Sequence, residues 1–168
     1  MLLRNSLTHY WQTTTHKGWV LLYLFSFCFK LMWRAVIHDL SKYGLTEARS
    51  FIPVIHLLKG TPYGGDEYKK LMEAIAPALV HHYWVNRHHP EHWKEGIDGM
   101  TLIDLVEMAF DWKASSKRHA TGDPIKSVDI NKKRFGYDDT MANILKNSLG
   151  REGGHAKIQN PVHGNDQH

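Results

Sequence analysis

The chain has 168 residues, 42% hydrophobic and 23% charged, with a formal net charge of +4 when His is neutral. That is the balance of one globular domain with a real core, and its charge favours anionic ligands only mildly, short of an argument for nucleic-acid binding. The single cysteine, Cys28, excludes a disulfide framework within one chain and a CxxC zinc site, and it suits a reducing, cytoplasmic setting.

In chain order, Leu2, Leu3, Leu7, Tyr10 and Trp11 follow helical spacing, and Asn5 or Ser6 can cap a first helix. His9 and His16 share a face of it. From His16 to about Val36 the chain is apolar nearly all round, so a central, buried helix is expected. Its run Trp19 to Phe29 is too short to span a bilayer and is interrupted afterwards by Lys30 and Arg34, so no membrane is expected. No signal-peptide cleavage pattern follows it. The helix should end near Tyr43-Gly44, where glycine can supply a left-handed cap.

Thr46 to Leu58 reads as a further helix, bent or begun near Pro53. Lys59 to Gly65 is a loop. Asp66 can cap a long helix from Glu67 to about His89, kinked or split at Pro77 and stopped by Pro90. Glu91 to Gly99 is a loop with Trp93 as an anchor. Met100 to Arg118 has the 3.6 period, with Thr101 as cap. Residues 120–137 read as irregular and basic, and Asp138 or Asp139 caps a last helix to about Leu149. No stretch alternates as a strand. The expected fold is all-α, an irregular helical bundle over residues 1–149, with a disordered polar tail over 150–168.

Thirteen histidines is a large number for this length. Three, His155, His163 and His168, lie in the polar tail. His92 and His119 read as surface, and His56, alone on an apolar helix, as a satisfied core histidine. Of the others, His9 and His16 lie on the first predicted helix, and the remaining five fall in Ile37-His38-Asp39-Leu40-Ser41-Lys42 and His81-His82-Tyr83-Trp84-Val85-Asn86-Arg87-His88-His89-Pro90. Adjacent His and Asp side chains reach one ion only where the chain bends sharply, and an imidazole nitrogen with a carboxylate oxygen suits a divalent transition metal. On a continuous helix His82, Asn86 and His89 form one stripe, and His81, Val85 and His88 an adjoining one. Asp104, Glu107 and Asp111 share a face of an otherwise apolar helix, where carboxylates need water, cations or a metal.

In this order His16, His38-Asp39 and Asp111 resemble the HD-domain metal-dependent phosphohydrolases, an all-helical superfamily. Asp111 follows Asp39 by 72 residues and His38 follows His16 by 22. His38 to Lys42 is similar to the His-Asp-x-Gly-Lys of the HD-GYP phosphodiesterases, with Ser41 for Gly. His81-His82-x-x-x-Asn86 is similar to their second-metal segment, although Gly-Tyr-Pro is replaced by Arg87-His88-His89-Pro90. The whole set resembles most closely a small uncharacterised family of phage and bacterial proteins. Its motifs are matched here by His16-Lys17, His38 to Lys42, His82 to Trp93 and Glu107 to Trp112.

The resemblance implies a divalent metal (Mn, Co, Mg, Zn, Ni or Fe), one or two ions, held by His16, His38, Asp39 and Asp111 and extended by His81 and His82. It implies hydrolysis of a small phosphorylated substrate, most closely a (deoxy)nucleoside 5′-monophosphate. Lys42, Glu107 and His89 are its catalytic candidates, with Glu47 as an alternative base. Asn86, Arg87, His88, Lys113 and Lys117 are candidates to hold substrate, and Tyr83, Trp84 or Trp112 to stack on a base. Lys42 stands where single-metal nucleotidases of the superfamily carry a Glu that helps activate water. The alternatives are a phosphodiesterase on cyclic nucleotides or oligonucleotides, a di-iron oxygen-using HD protein, and a non-enzymatic metal- or nucleic-acid-binding module. A homodimer is compatible with all of them.

Overall fold

The computed structural model describes residues 2–61, 65–118 and 122–150. Part of the Lys59–Gly65 loop, His119 and the tail beyond Gly150, with its three histidines, lie outside the described residues. Among the described residues there is no strand, and eight α-helices form an irregular bundle: α1 Leu2–Ile37, α2 Leu45–Phe51, α3 Ile55–Gly60, α4 Asp66–Ala74, α5 Ala76–Val85, α6 Leu102–Ser116, α7 Pro124–Phe135 and α8 Asp139–Leu149.

The core lies among α6, α7 and α8. Met108 and Ala109 of α6, Val128 of α7, and Ala142, Leu145 and Leu149 of α8 are buried together with Ile97 and Tyr137. The caps that the sequence offers are used. Thr101 and Asp104 form a reciprocal capping box on α6, and Asp138 accepts from the Met141 amide at the start of α8.

Residues 120–137, read as irregular, contain α7. Asp123 caps it by accepting from the Ile125 and Lys126 amides, Pro124 opens it, and Gly136 closes it at φ 75°. The basic residues that mask its apolar period lie on its outer face, while Val128 and Asn131 point inward.

The long segment before Pro90 also departs from expectation. It divides at Ile75, just ahead of Pro77, as a proline at the start of α5 dictates. It then ends at Val85 rather than near His89, because Asn86 adopts extended backbone (φ −105°, ψ 107°) and the residue before Pro90 is barred from the helical region. Pro53 breaks the other mixed segment into α2 and α3, and His56 is exposed on α3 rather than buried.

The largest departure is α1. It is one continuous helix of 36 residues, and the expected buried stretch is exposed: Trp19 is 54%, Leu22 54% and Phe25 67% accessible. Among the residues of α1 whose burial is described, only Phe27, Leu31, Arg34 and Ile37 are partly covered, and the helix meets α6. By length and composition α1 with its extension to Tyr43 could cross a membrane, its most apolar stretch having a mean hydropathy of 1.7.

Candidate metal centre

Immediately after α1 the chain reverses. Asp39 adopts a left-handed conformation (φ 55°, ψ 20°), the only positive φ among the described non-glycine residues. A short 3-10 turn, Leu40–Tyr43, follows. A non-glycine residue held there carries backbone strain, which functional sites tend to store. The bend lets two adjacent side chains, His38 and Asp39, face one centre.

Two buried carboxylates stand behind that centre. Glu47 of α2 is fully buried; its oxygens accept from His81 Nδ1 at 2.8 Å and His82 Nδ1 at 2.9 Å. Glu107 of α6 accepts from His38 Nδ1 at 2.9 Å, and His88 Nδ1 lies 3.1 Å from the same oxygen. A carboxylate can only accept, so each of these imidazoles uses its Nδ1 proton there and presents Nε2 elsewhere.

For three of the rings, elsewhere is Asp39. His82 Nε2 and His88 Nε2 lie 3.4 and 3.5 Å from its Oδ1, and His38 Nε2 lies 3.4 Å from its Oδ2. His89 Nε2 comes within 2.8 Å of His82 Nε2, and Asp111 Oδ1 within 3.6 Å of His38 Nε2. Ligands about 2.0–2.1 Å from a tetrahedral ion are about 3.3 Å apart, close to the separations around Asp39.

Asp39, His82, His88 and His89 each offer one ligand atom, all within 4.8 Å of one another, and His38, His88 and Asp111 form a second such group. The decisive detail is satisfaction. Asp39 Oδ1 and His88 Nε2 are buried and accept or donate no hydrogen bond. A buried carboxylate oxygen and a ring nitrogen left open toward each other cost free energy unless a cation joins them. The donor set therefore fits a divalent metal. Glu107 Oε2 also lacks a hydrogen bond of good geometry, but Arg34 Nη2 lies 2.6 Å away and balances its charge.

The electrostatics agree with this geometry. Hydrogen bonds to Asp111, Asp39 and Glu107 raise His38 to about 11, so the carboxylates around it demand a positive charge. Burial pushes Asp39 upward, but its hydrogen bonds with His38 and Lys42 outweigh that and hold it well below the ordinary range. Glu107 is opposed by burial in the same way and is held at about 2 by His38 and His88. His38 also lowers Asp111 against the effect of burial. Burial, then the charges of His88 and His82, bring His89 down to about 3.

The other expected residues divide clearly. Lys42 Nζ sits 2.5 Å from Asp39 Oδ2 at the open edge of the cluster. Asn86 donates to Ser41 Oγ at 2.8 Å and to the His82 carbonyl at 2.9 Å, so it closes α5 and fastens the turn after Asp39. Arg87 pairs with Asp104 and lies 4.4 Å over the Trp93 ring, outside the centre. Lys113 donates to the Leu149 carbonyl, and Lys117 is exposed at the end of α6, so neither is brought to the site. Trp112 stacks on Phe135 against the core.

His16 is not brought to the cluster either. It stands exposed on α1, 22 residues and so about 33 Å of helix from His38, too far to share an ion within one chain. His81 spends its Nδ1 on Glu47 and belongs to neither ligand group. Their places are taken by His88 and His89, which the sequence suggested as substrate and catalytic residues on separate helical stripes. The break of helix at Asn86 turns both inward. The signal was Pro90, whose restriction on its predecessor argues against a helix through His89. Arg34 has no distinguishing local pattern, and nothing local assigns Glu47 and Asp104 the partners they take. The tie of Asp104 to Arg34 Nη1 at 2.9 Å spans 70 residues of sequence.

These features define an all-helical protein with a His- and carboxylate-lined centre suited to a divalent cation. The chain belongs to the family of unknown function DUF5662, whose model matches residues 5–151. No curated protein and no solved structure matches it.

Proposed function

We propose that the chain is a metal-dependent phosphohydrolase acting on a small phosphomonoester, with a nucleoside 5′-monophosphate as the leading substrate class. The observation that supports this most is the open pair Asp39 Oδ1 and His88 Nε2, ringed by imidazoles whose other nitrogens are tied to Glu47 and Glu107. Asp39, His82, His88 and His89 would hold one ion, and His38, His88 and Asp111 form a second group that would hold an ion on the His38 side. A divalent ion there supplies an acidic water and offsets charge on the phosphoryl oxygens. The likeness to HD-domain phosphohydrolases is kept in this reading, with His88 in the place first given to His16.

The residues of the chain do the remaining work. Glu107 and Glu47 fix the tautomer and aim of the rings, which raises their basicity toward an ion. Glu107 has one oxygen on two histidines and the other on Arg34, so it positions rings rather than acting as a general base. His89, held neutral, serves as a nitrogen donor and not as the acid for the leaving group. Lys42, anchored to Asp39 and half open to solvent, offers its charge to a phosphoryl oxygen at the entrance. Water would attack phosphorus as the ester P–O bond breaks, and the released alkoxide would take a proton from solvent or Lys42.

The test is demetallated protein reloaded singly with Mg, Mn, Co, Ni, Zn or Fe and assayed on a panel of phosphate esters. Phosphate released from monoesters supports the reading. Phosphate released only after an added phosphatase points to a diesterase, and oxygen uptake with iron to an oxygenase. Stoichiometric metal binding without turnover would leave a binding module.

A further inference from the structure

α1 carries a second pattern that the metal centre does not use. Leu21, Leu24, Cys28, Leu31 and Ala35, flanked by Lys17 and His38, recur at alternating steps of four and three, the seam of a coiled coil. At its C-terminal end the seam already forms a wall: Leu31, Ala35 and His38 face Val106, Phe110 and Ala114 of α6 across a groove of about 420 Å³. One end of that groove is the metal centre, since Glu107 and Asp111 also line it. Toward the N-terminus the same seam is bare, with Leu21 57% and Leu24 58% accessible and Cys28 exposed.

The seam reads nearly alike in both directions about Cys28. In an antiparallel pair of α1 helices centred there, Leu24 meets Leu31 of a second copy, Leu21 meets its Ala35, and Lys17 ends beside its His38. The overlap from Lys17 to His38 is 22 residues, about 33 Å or three heptads. Charge favours the match. The centre gathers four carboxylates, Asp39, Glu47, Glu107 and Asp111, against the fixed cations Arg34 and Lys42. α1 has no acidic residue and brings Lys17 to that end.

A bilayer is the weaker occupant. The run without a charge, Gly18 to Phe29, covers about 18 Å of helix against a hydrocarbon core of about 30 Å. Extending it takes in Lys30 and Arg34, and Arg34 is tied to the buried carboxylates Asp104 and Glu107.

We propose that two copies of this chain pair antiparallel through the Leu21–Ala35 seam of α1, each placing Lys17 at the mouth of the other's His38–Asp39 centre. The pairing stands without the hydrolase reading; the role of Lys17 as a phosphate-binding cation rests on it.

The experiment combines sedimentation equilibrium of the full chain with crosslinking by bismaleimidoethane, a short thiol-to-thiol reagent. The expected mass is twice 19.4 kDa. Cys28 should crosslink the two copies efficiently, and Leu24→Glu should give a monomer with its helical circular dichroism retained. In a Cys28→Ser background Lys17→Cys should not crosslink, because the two positions lie at opposite ends of the antiparallel pair. Lys17→Ala should keep the dimer mass and raise KM for a phosphate ester. A monomer at tens of micromolar overturns the proposal. So does a dimer that crosslinks through Lys17→Cys, which would be parallel, or a chain that is monomeric and floats with phosphatidylcholine–phosphatidylglycerol vesicles. If no phosphate ester is turned over, mass and crosslinking still decide the pairing.

Discussion

The α6–α8 core and the His–carboxylate centre are equally buried and chemically opposite. Val128, Met108 and Leu149 are 0–2% accessible in the first; Glu47, Asp104, His88 and His82 are 0–2% accessible in the second. The core gains its stability from removing apolar surface from water. The centre buries charge, which is tolerable only while each group has its partner. α6 serves both: Met108 and Ala109 pack inward on α7 and α8, while Asp104, Glu107 and Asp111 face the histidines and Arg34. With polar groups filling the interior beside α1, the apolar side chains of that helix are left on the outside.

Removing one member of the open pair should separate the two regions most sharply. Asp39→Asn or His88→Ala should lower metal-dependent kcat/KM by about 10³-fold or more, with the metal lost in calorimetric titration, since a ligand-bearing centre works as a unit. Asp39→Asn should also lower the melting temperature of metal-free protein, because His38 and Lys42 lose their carboxylate partner. Met108→Ala tests the other region. Its cavity should cost about 2–5 kcal/mol in denaturant unfolding, with metal affinity per folded molecule unchanged.

Between these lies Glu47→Gln, which frees His81 and His82 to turn. It should weaken metal binding about 10–100-fold while the core stays folded by circular dichroism. Equal loss of stability and affinity would mean that the two regions are not separable.

Acid should undo the polar region first. Asp39, Glu107 and Asp111 have folded pKa values below their unfolded ones, so the stability they contribute is complete above the unfolded values near 4. It is lost as pH falls through the folded values, about 2 for Glu107. Metal-free protein should therefore lose melting temperature between about pH 4.5 and 2, and Glu107→Gln should flatten that slope. The smallest effect is expected of Lys113→Ala: about 1 kcal/mol or less from its bond to the Leu149 carbonyl, with kinetics unchanged.

What the sequence made legible follows from how local each signal is. Caps and prolines act within a turn, so α6 and α8, the bend at Pro53 and the break before Pro77 were readable. The grouping of Asp104, Glu107 and Asp111 on one face needed only helical spacing. α7 was missed because four basic side chains on its outer face hide an apolar stripe. The fate of α1 was misread because an all-round apolar helix looks the same whether its own chain or another molecule covers it. At the centre, His38 and Asp39 were readable because they are adjacent and precede a turn. Arg34, the hold of Glu47 on the His81 and His82 rings and the inward turn of His88 were not, since each depends on contacts with residues 19 to 73 positions away. His16 carried the right chemistry at the wrong end of one rigid helix.

Where a metal binds tests the His–carboxylate centre most directly. Crystals of protein loaded with cobalt, measured at the cobalt absorption edge, would locate it by anomalous scattering. The prediction is a peak within about 2.0–2.2 Å of Asp39 Oδ1 and His88 Nε2, with His82 and His89 contributing to its shell. A cobalt peak on His16 or the tail histidines, with the Asp39–His88 pair unligated, would contradict it.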